Sequence, residues 1–484
     1  MHKIDFSLRR ALHSIDATRR IEQAAQSALP PHTLMQRAGL AVARLALAIA
    51  PHSQRIWIAC GPGNNGGDGL EAAPHLQRQG KLVVVTWLGH PEKAPADAAA
   101  SYQRAVVAGV KFAETPPLNC DLCIDALLGI GAARAPEGRM ADWIGLLNDG
   151  NAPVLAVDTP TGLQADTGVL AQHCVKAQHS LSLLTLKPGL FTAHGRDVAG
   201  TVWLDQLEVA HETSANREIS APTAWLAGAP GAVPRLHASH KGSYGDLAVI
   251  GGAAGMTGAA LLAASAALHA GAGRVLVALL DGGTLSVDNR QPELMFRSVD
   301  ALDFQGMTVV CGCGGGNAIG GPLARILTTS KHLVIDADAL NRIAADPQFQ
   351  TLLNLRTRRL EATVLTPHPL EAARLLACSA TDVQNNRMAA AQQLALRFNC
   401  TVVLKGSGTV IASPGQTPVI NPTGNAKLAT AGTGDVLAGM IGAALAAGLP
   451  AFQAACEAVY RHGLRSDQWP DGAPLTAGAL AELP

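Results

Sequence analysis

The chain has 484 residues, 48% hydrophobic and 15% charged, so it can build a large packed core, and general disorder is excluded. Lys plus Arg (37) equals Asp plus Glu (37), and aromatics are only 4%; neither nucleic acid nor an anionic membrane is an expected partner. The cysteines number 9, an odd count that fits a reduced compartment better than a disulfide framework, and the N-terminus shows no apolar h-region. A cytoplasmic location is expected. From Ser14 the sequence predicts two helices, "TRRIEQAAQSAL" and "LMQRAGLAVARLALAIA". Apolar strands then alternate with helical patterns: "RIWIAC", "KLVVVTWL", "CDLCIDALLG" and "APVLAVD". That alternation predicts a parallel sheet covered on both faces. The pattern lapses near Asp205 to Pro222, which places a domain boundary there, dividing residues 1–215 from 216–484. A second α/β series follows, from "GDLAVIGG" through "RVLVALL", "MTVVCGCGGG", "HLVIDADAL" and "ATVLTPHPLE" to "CTVVLKGSGTVIA". The apolar stretch after Gly434 is Ala/Gly-rich and broken by Pro450, unlike a membrane span. Cys120-x-x-Cys123 leads into a strand and reads as small buried strand residues.

Gly61-x-Gly63-x-x-Gly66 follows the first core strand, where a dinucleotide fingerprint belongs. The fingerprint also needs an acidic residue about 20 positions on, and "KLVVVTWLGH" has none. Asn64, Asn65 and Asp68 suit a hydroxyl or a hard cation better than a pyrophosphate. Asn65, Asp125 and Thr161 stand at three successive strand ends and can supply oxygen ligands to a cation. Asp158, at the tip of "VLAVD", can act as a base or hold a ribose. Singly, each has a plainer reading: Asp68 as a helix N-cap, Asp125 and Asp158 as turn residues.

In the second half, "TAGTGDVLAG" opens an Ala-rich helix with a glycine turn, a ready anion site. Asp435 beside it can take a proton from a hydroxyl attacking a phosphoryl group, or merely cap the helix. "KGSGT", from Lys405, adds a second glycine turn with a lysine. His368-x-x-Glu371 lacks further ligands for zinc; magnesium brought by a nucleotide is the better use of Glu371.

The residues "GPGNNGGDGL", "IDALLGIG", "VDTPTG", "LKPGL" and "LMQRAG" resemble the epimerase domain of NAD(P)H-hydrate repair enzymes. "HKGSYGDLAVIGG", "QPELM", "DADAL", "TPHPLE", "KGSGT" and "GTGD" resemble the ribokinase-like ADP- or ATP-dependent NAD(P)H-hydrate dehydratases. The resemblance implies two α/β domains, a Rossmann-like parallel-sheet sandwich followed by a ribokinase-like domain. It implies epimerisation of hydrated NADH or NADPH, then ADP-dependent dehydration of one epimer with release of AMP and phosphate. In the first half it implies potassium at Asn65, Asp125 and Thr161, and catalysis by Asp158 and Lys187. Substrate would meet Asn64, Asn65, Gly66, Gly67, Asp68, the loop Gly129, Ile130, Gly131, Ala132, Ala133, Arg134, Ala135, and Asp158. In the second it implies nucleotide at Lys405, Gly406, Ser407, Gly408, Thr409 and Gly434. Hydrate would meet Ala259, Gly314, His368 and Asp435, with Asp435 as base and magnesium on Glu371. A homo-oligomer is the expected assembly. Three departures from the family pattern stand out: Thr161 in place of Ser, Pro74 inside the helix after the glycine loop, and "CGCGGGN" in place of a Gly-Pro-Gly turn. Pro74 is expected to remove a hydrogen bond and bend that helix. The competing reading is a vitamin-precursor or sugar kinase with an N-terminal binding or scaffold domain, whose product would keep the phosphoryl group.

Overall fold

The computed structural model describes residues 1–131, 135–209, 221–231, 237–357, 359 and 361–483. They form two compact units, Met1–Asp5 with Ala11–Ala224, and Phe6–Arg10 with Trp225–Pro484. The boundary expected at 215/216 falls outside the described residues. The short excursion Phe6–Arg10 was not legible in the sequence. The Tyr460 hydroxyl donates to the Phe6 carbonyl at 2.8 Å, and the Arg9 guanidinium lies 4.2 Å over the Trp225 ring.

The first unit is built on a sheet ordered His2–Lys3, Thr201–Asp205, His179–Leu183, Val154–Val157, Leu122–Ala126, Arg55–Cys60, Leu82–Trp87, Lys111–Phe112. All neighbours are parallel except the edge strand His2–Lys3. The inner strands are mostly apolar and mostly buried because helices cover both faces. From Arg55–Cys60 the chain winds first to Leu82–Trp87 and later to Leu122–Ala126 on the other side. Such a reversal opens a crevice at the carboxyl ends of the strands, where ligands bind. The helix Asn64–Arg78 starts from that crevice and packs on Thr33–Ile49 so closely that a Cβ on Gly39 would stand 2.4 Å from Glu71 Cβ.

Pro74 does not end this helix, which runs unbroken to Arg78. Pro74 lies ten residues after Asn64, almost three turns from the glycine loop, so its missing N–H leaves the loop's own turn intact. The Cys120/Cys123 expectation holds for Cys123, which is buried in the strand Leu122–Ala126. Cys120 precedes that strand half-buried, with its Sγ 3.4 Å from the Cys123 Sγ.

In the second unit the order is Met295–Phe296, Arg274–Leu279, Asp246–Gly251, Thr308–Cys311, His332–Ile335, Ala362–Leu365, Thr401–Leu404, Val410–Ala412, Val419–Ile420. The strands are parallel as far as Thr401–Leu404 and then turn antiparallel. Here the reversal lies at Asp246–Gly251. The helices Thr257–His269 and Thr433–Ala446 are small-residue helices that pack almost backbone to backbone; a Cβ on Gly439 would come within 2.0 Å of the Ala263 carbonyl. Among the described residues no helix is long and apolar enough to cross a membrane.

Candidate active sites

At the first crevice a cavity of about 430 Å³ is lined by Asn64, Asn65, Asp68, Gly129, Asp158 and Lys187. The helix Asn64–Arg78 is capped by Gly63, so Asp68 is not the N-cap that the plainer reading makes it. Burial first, and then the Asp158 charge, holds the Asp68 carboxyl well above the usual carboxylate range. The Asn65 Nδ2 group is buried without a hydrogen-bond partner. A buried orphan donor costs about 1–3 kcal/mol, and a ligand acceptor in the cavity would relieve it.

Asp158 has φ 66°, a left-handed conformation uncommon outside glycine, and it forms an ion pair with Lys187. Lys187 is fully buried; its ammonium also donates to the Leu183 carbonyl at 2.8 Å and to Ser182 Oγ at 3.3 Å. The Ile130 N–H reaches Asp158 Oδ2 at 3.3 Å, tying the loop after Gly129 to the same carboxylate. Asp125 accepts from Thr161 N (2.8 Å), Thr161 Oγ1 (2.7 Å) and Leu127 N (3.2 Å). Burial pushes Asp125 up to about 6 against these three donors. The carboxylate and hydroxyl are oxygen donors of the class that suits a hard cation, and here they are engaged with one another.

Several expected contacts land differently. Gly66 and Gly67 face protein: a Cβ on Gly66 would sit 2.0 Å from the Gly61 carbonyl, and one on Gly67 would strike Met35. They are glycines of close packing. Gly131 and Ile130 line the cavity, whereas Ala135 is exposed and away from it. Ala132, Ala133 and Arg134 lie outside the described residues. Conversely, Arg19, Glu22 and Asp97 line the cavity without having been singled out. Glu22 is raised by burial and by Asp158.

In the second unit, Gly432 (φ 90°) caps the helix Thr433–Ala446 and places Asp435 in its first turn. The capping alternative for Asp435 is thereby corrected. Burial first, and then the Asp336 carboxylate, pushes Asp435 up to about 7. The Lys405 ammonium bonds Asp336 Oδ1 at 2.6 Å and lies 4.0 Å from Glu371 Oε2. It would stand 3.3 Å from a Cβ on Gly434, so the lysine, the glycine turn and Asp435 share one spot. Burial lowers Lys405, but Asp336 and Glu371 outweigh it and leave the ammonium above its ordinary value. Asp336 is buried at a strand tip and also accepts from Thr366 Oγ1 at 2.7 Å. Sequence reasoning passed over it, although an acid at the end of a parallel strand was the available signal.

Ala259 and Gly314 come together, since a Cβ on Gly314 (φ 59°) would be 2.8 Å from Ala259 Cβ. Behind the turn Gly406, Ser407, Gly408, Thr409, the buried Arg387 guanidinium donates to the Leu404 and Lys405 carbonyls at 3.2 and 3.1 Å. The Thr409 hydroxyl closes the turn on the Gly406 carbonyl at 3.0 Å. His368 uses Nδ1 to cap the helix Pro369–Leu376, accepting from Leu370 N at 3.1 Å. Glu371 is the reciprocal member of that capping box: Oε2 accepts from His368 N at 2.8 Å, while Oε1 lies 3.3 Å from His368 Nε2. With both oxygens engaged and the side chain 4% exposed, Glu371 does not fit a direct magnesium ligand. That expectation is corrected.

A family model described as NAD(P)H-hydrate dehydratase matches residues 247–482, and one described as YjeF-related protein N-terminus matches residues 31–189. The chain is 34% identical over 486 residues to the bifunctional NAD(P)H-hydrate repair enzyme Nnr of Escherichia coli (strain K12), covering 96% of this chain and 91% of that one. It is 46% identical over 254 residues to the ADP-dependent (S)-NAD(P)H-hydrate dehydratase of Neisseria meningitidis serogroup B, covering 51% of this chain and 84% of that one. A solved ADP/ATP-dependent NAD(P)H-hydrate dehydratase from Bacillus subtilis aligns with a TM-score of 0.42 and 28% identity, over 51% of this chain and 90% of that one.

Proposed function

The chain belongs to the bifunctional NAD(P)H-hydrate repair enzymes, and from that premise we propose how its two sites share the repair. The enzyme interconverts the R and S forms of hydrated NADH or NADPH and dehydrates the S form with ADP. We assign epimerisation to the cavity around Asp158 and Lys187, and dehydration to the crevice around Asp435. The observation that carries the second assignment is the meeting of Lys405 with Gly434 and the Asp435 carboxylate, both in the first turn of one helix.

Dehydration needs hydroxide turned into a better leaving group. Asp435, half ionised near pH 7, takes the proton of the C6 hydroxyl as its oxygen attacks the terminal phosphoryl group of ADP. The backbone N–H groups of the helix start and the Lys405 ammonium hold that phosphoryl group. The C6–O bond then breaks, the ring nitrogen's lone pair restores the dihydropyridine, and phosphate and AMP leave. In the epimerase site the ion pair with the buried Lys187 ammonium orients Asp158 at the cavity wall. Potassium would be held by Asn65, Asp125 and Thr161, where its charge would offset the buried carboxylate. Any magnesium would be carried by the nucleotide phosphates, since Glu371 is engaged. A cytoplasmic setting is supported by the odd count of 9 cysteines.

The test is incubation of mixed NADH hydrate epimers with ADP and magnesium, following restored NADH absorbance and free phosphate. Asp435→Asn should lower dehydration about 10²–10⁴-fold while epimerisation and melting temperature stay near wild type. A variant that keeps most of its turnover would remove Asp435 from the role. Phosphate retained on an organic product would establish the small-molecule kinase reading instead.

A further inference from the structure

The loop Cys311 to Gly316, which departs from the Gly-Pro-Gly turn of the family, carries a second thiol, that of Cys313. Cys313 is fully buried, and its Sγ lies within 4.8 Å of carboxylate oxygens of both Asp336 and Asp435. Its backbone is fixed from both sides: the Cys313 carbonyl accepts from Gly252 N at 2.9 Å, and a Cβ on Gly251 would stand 2.2 Å from that same oxygen. The next carbonyl, that of Gly314, accepts from Ala253 N at 2.7 Å. The backbone that carries the thiol is therefore held in place beside the carboxylates.

We propose that Cys313 is a positioning residue for dehydration, its S–H directed at the Asp435 carboxylate so that the base stays ionised and aimed within a buried acidic pocket. The inference rests on the reading of Asp435 as the base. Burial, followed by the neighbouring Asp435 and Asp336 charges, holds the thiol well above its ordinary pKa, so it keeps the proton that it donates. The other groups facing Asp435 are Asp336 and Asp338, which raise it, and Lys405, which lowers it. His462 bonds the Thr433 carbonyl at 2.9 Å and is pushed down to about 4 by burial, so it stays neutral across the working range. Cys313 and Lys405 thus act against burial and two acids. A thiol is a weak donor, yet a donor to an ion in a dry site tells on its titration.

The experiment is the pH profile of kcat for dehydration of the S epimer, in wild type, Cys313→Ala, Cys313→Ser and Asp435→Asn, with ADP saturating and folding checked by thermal melting. Removing the donor should move the acid limb upward by roughly 0.5–1 pH unit, leaving the alkaline plateau near wild type. Cys313→Ser keeps a hydroxyl donor and should hold the limb in place. An unmoved limb in folded Cys313→Ala overturns the inference, and so does an equal shift in Ala and Ser. Should Cys313→Ala fail to fold, Cys313→Val, close to the thiol in volume, carries the same comparison. If Asp435→Asn retains turnover, the base assignment itself falls. If it collapses while the Cys313→Ala limb stays put, only the thiol's role is lost.

Discussion

Replacing Asp336 by Asn should move the acid limb of dehydration in the opposite direction, and by a larger amount. The Asp336 and Asp435 carboxylates approach within 4.8 Å, in a site where Asp336 is 1% exposed. At an effective dielectric of about 20, two unit charges at that separation repel by roughly 3 kcal/mol. Divided by 1.36 kcal/mol per pH unit, that is about 2 units for what Asp336 adds to the Asp435 pKa. Lys405, now without its 2.6 Å partner, would turn its charge toward Asp435 and act with the same sign. A base with a pKa of about 7 is only about one-tenth ionised at pH 6, so the wild type should lose most of its rate there. The variant, with a limb near pH 5, should keep most of it. Lys405 would also lose its anchor, so the KM for ADP should rise at every pH. Initial rates of NADH recovery from the S epimer between pH 5 and 9 measure both effects. A limb that stays within about 0.3 unit of wild type, in a folded variant, would mean that the Asp336 charge is not felt by the base, and the electrostatic account of the site would fail.

Other perturbations separate the remaining assignments. Gly434→Ala puts a Cβ 3.3 Å from Lys405 Nζ, so the KM for ADP should rise severalfold with little change in melting temperature. Asp125→Ala should lower epimerisation at least tenfold, as expected for losing contacts of about 1.5–3 kcal/mol to a buried charge, and should abolish any potassium dependence. S-epimer dehydration should be untouched; a joint fall of both activities would make Asp125 structural. His462 is depressed to about 4 when folded, so the unfolded chain binds its proton first and stability is lost as pH falls from about 6.5 toward 4. His462→Gln should therefore show a shallower fall in melting temperature over that window, which thermal scans at pH 7, 5.5 and 4.5 would reveal.

The parallel α/β architecture was legible because inner strands such as Ile56–Cys60 and Val402–Leu404 are unbroken apolar runs closed by glycine turns. The polar strand ends Asp125, Asp158 and Asp435 were legible for the same reason, since carboxylates stand out at the tips of apolar strands or in glycine turns. Glu22 and Arg19 were not. They sit on the polar side of an amphipathic helix, and a cavity-facing polar face has the same 3.6-residue pattern as a solvated one. Glu371 misled because a carboxylate three residues after His368 can cap a helix as readily as hold a metal, and only coordinates tell which lone pairs are occupied. Gly66 and Gly67 misled similarly, since a glycine that admits a ligand and one that admits another backbone look alike in sequence.

The segment Phe6–Arg10 has a consequence for synthesis on the ribosome. Its docking partner Tyr460 is 454 residues downstream. At about 5–20 residues per second, the segment waits roughly 20–90 s after emerging before that hydroxyl exists to receive it. During that interval the neighbouring edge strand His2–Lys3 can already pair with Thr201–Asp205, so the first unit can close around an N-terminal segment whose own place is still unmade. Docking of residues 6–10 is thereby deferred to the end of translation, and it registers that the last helices of the chain have arrived.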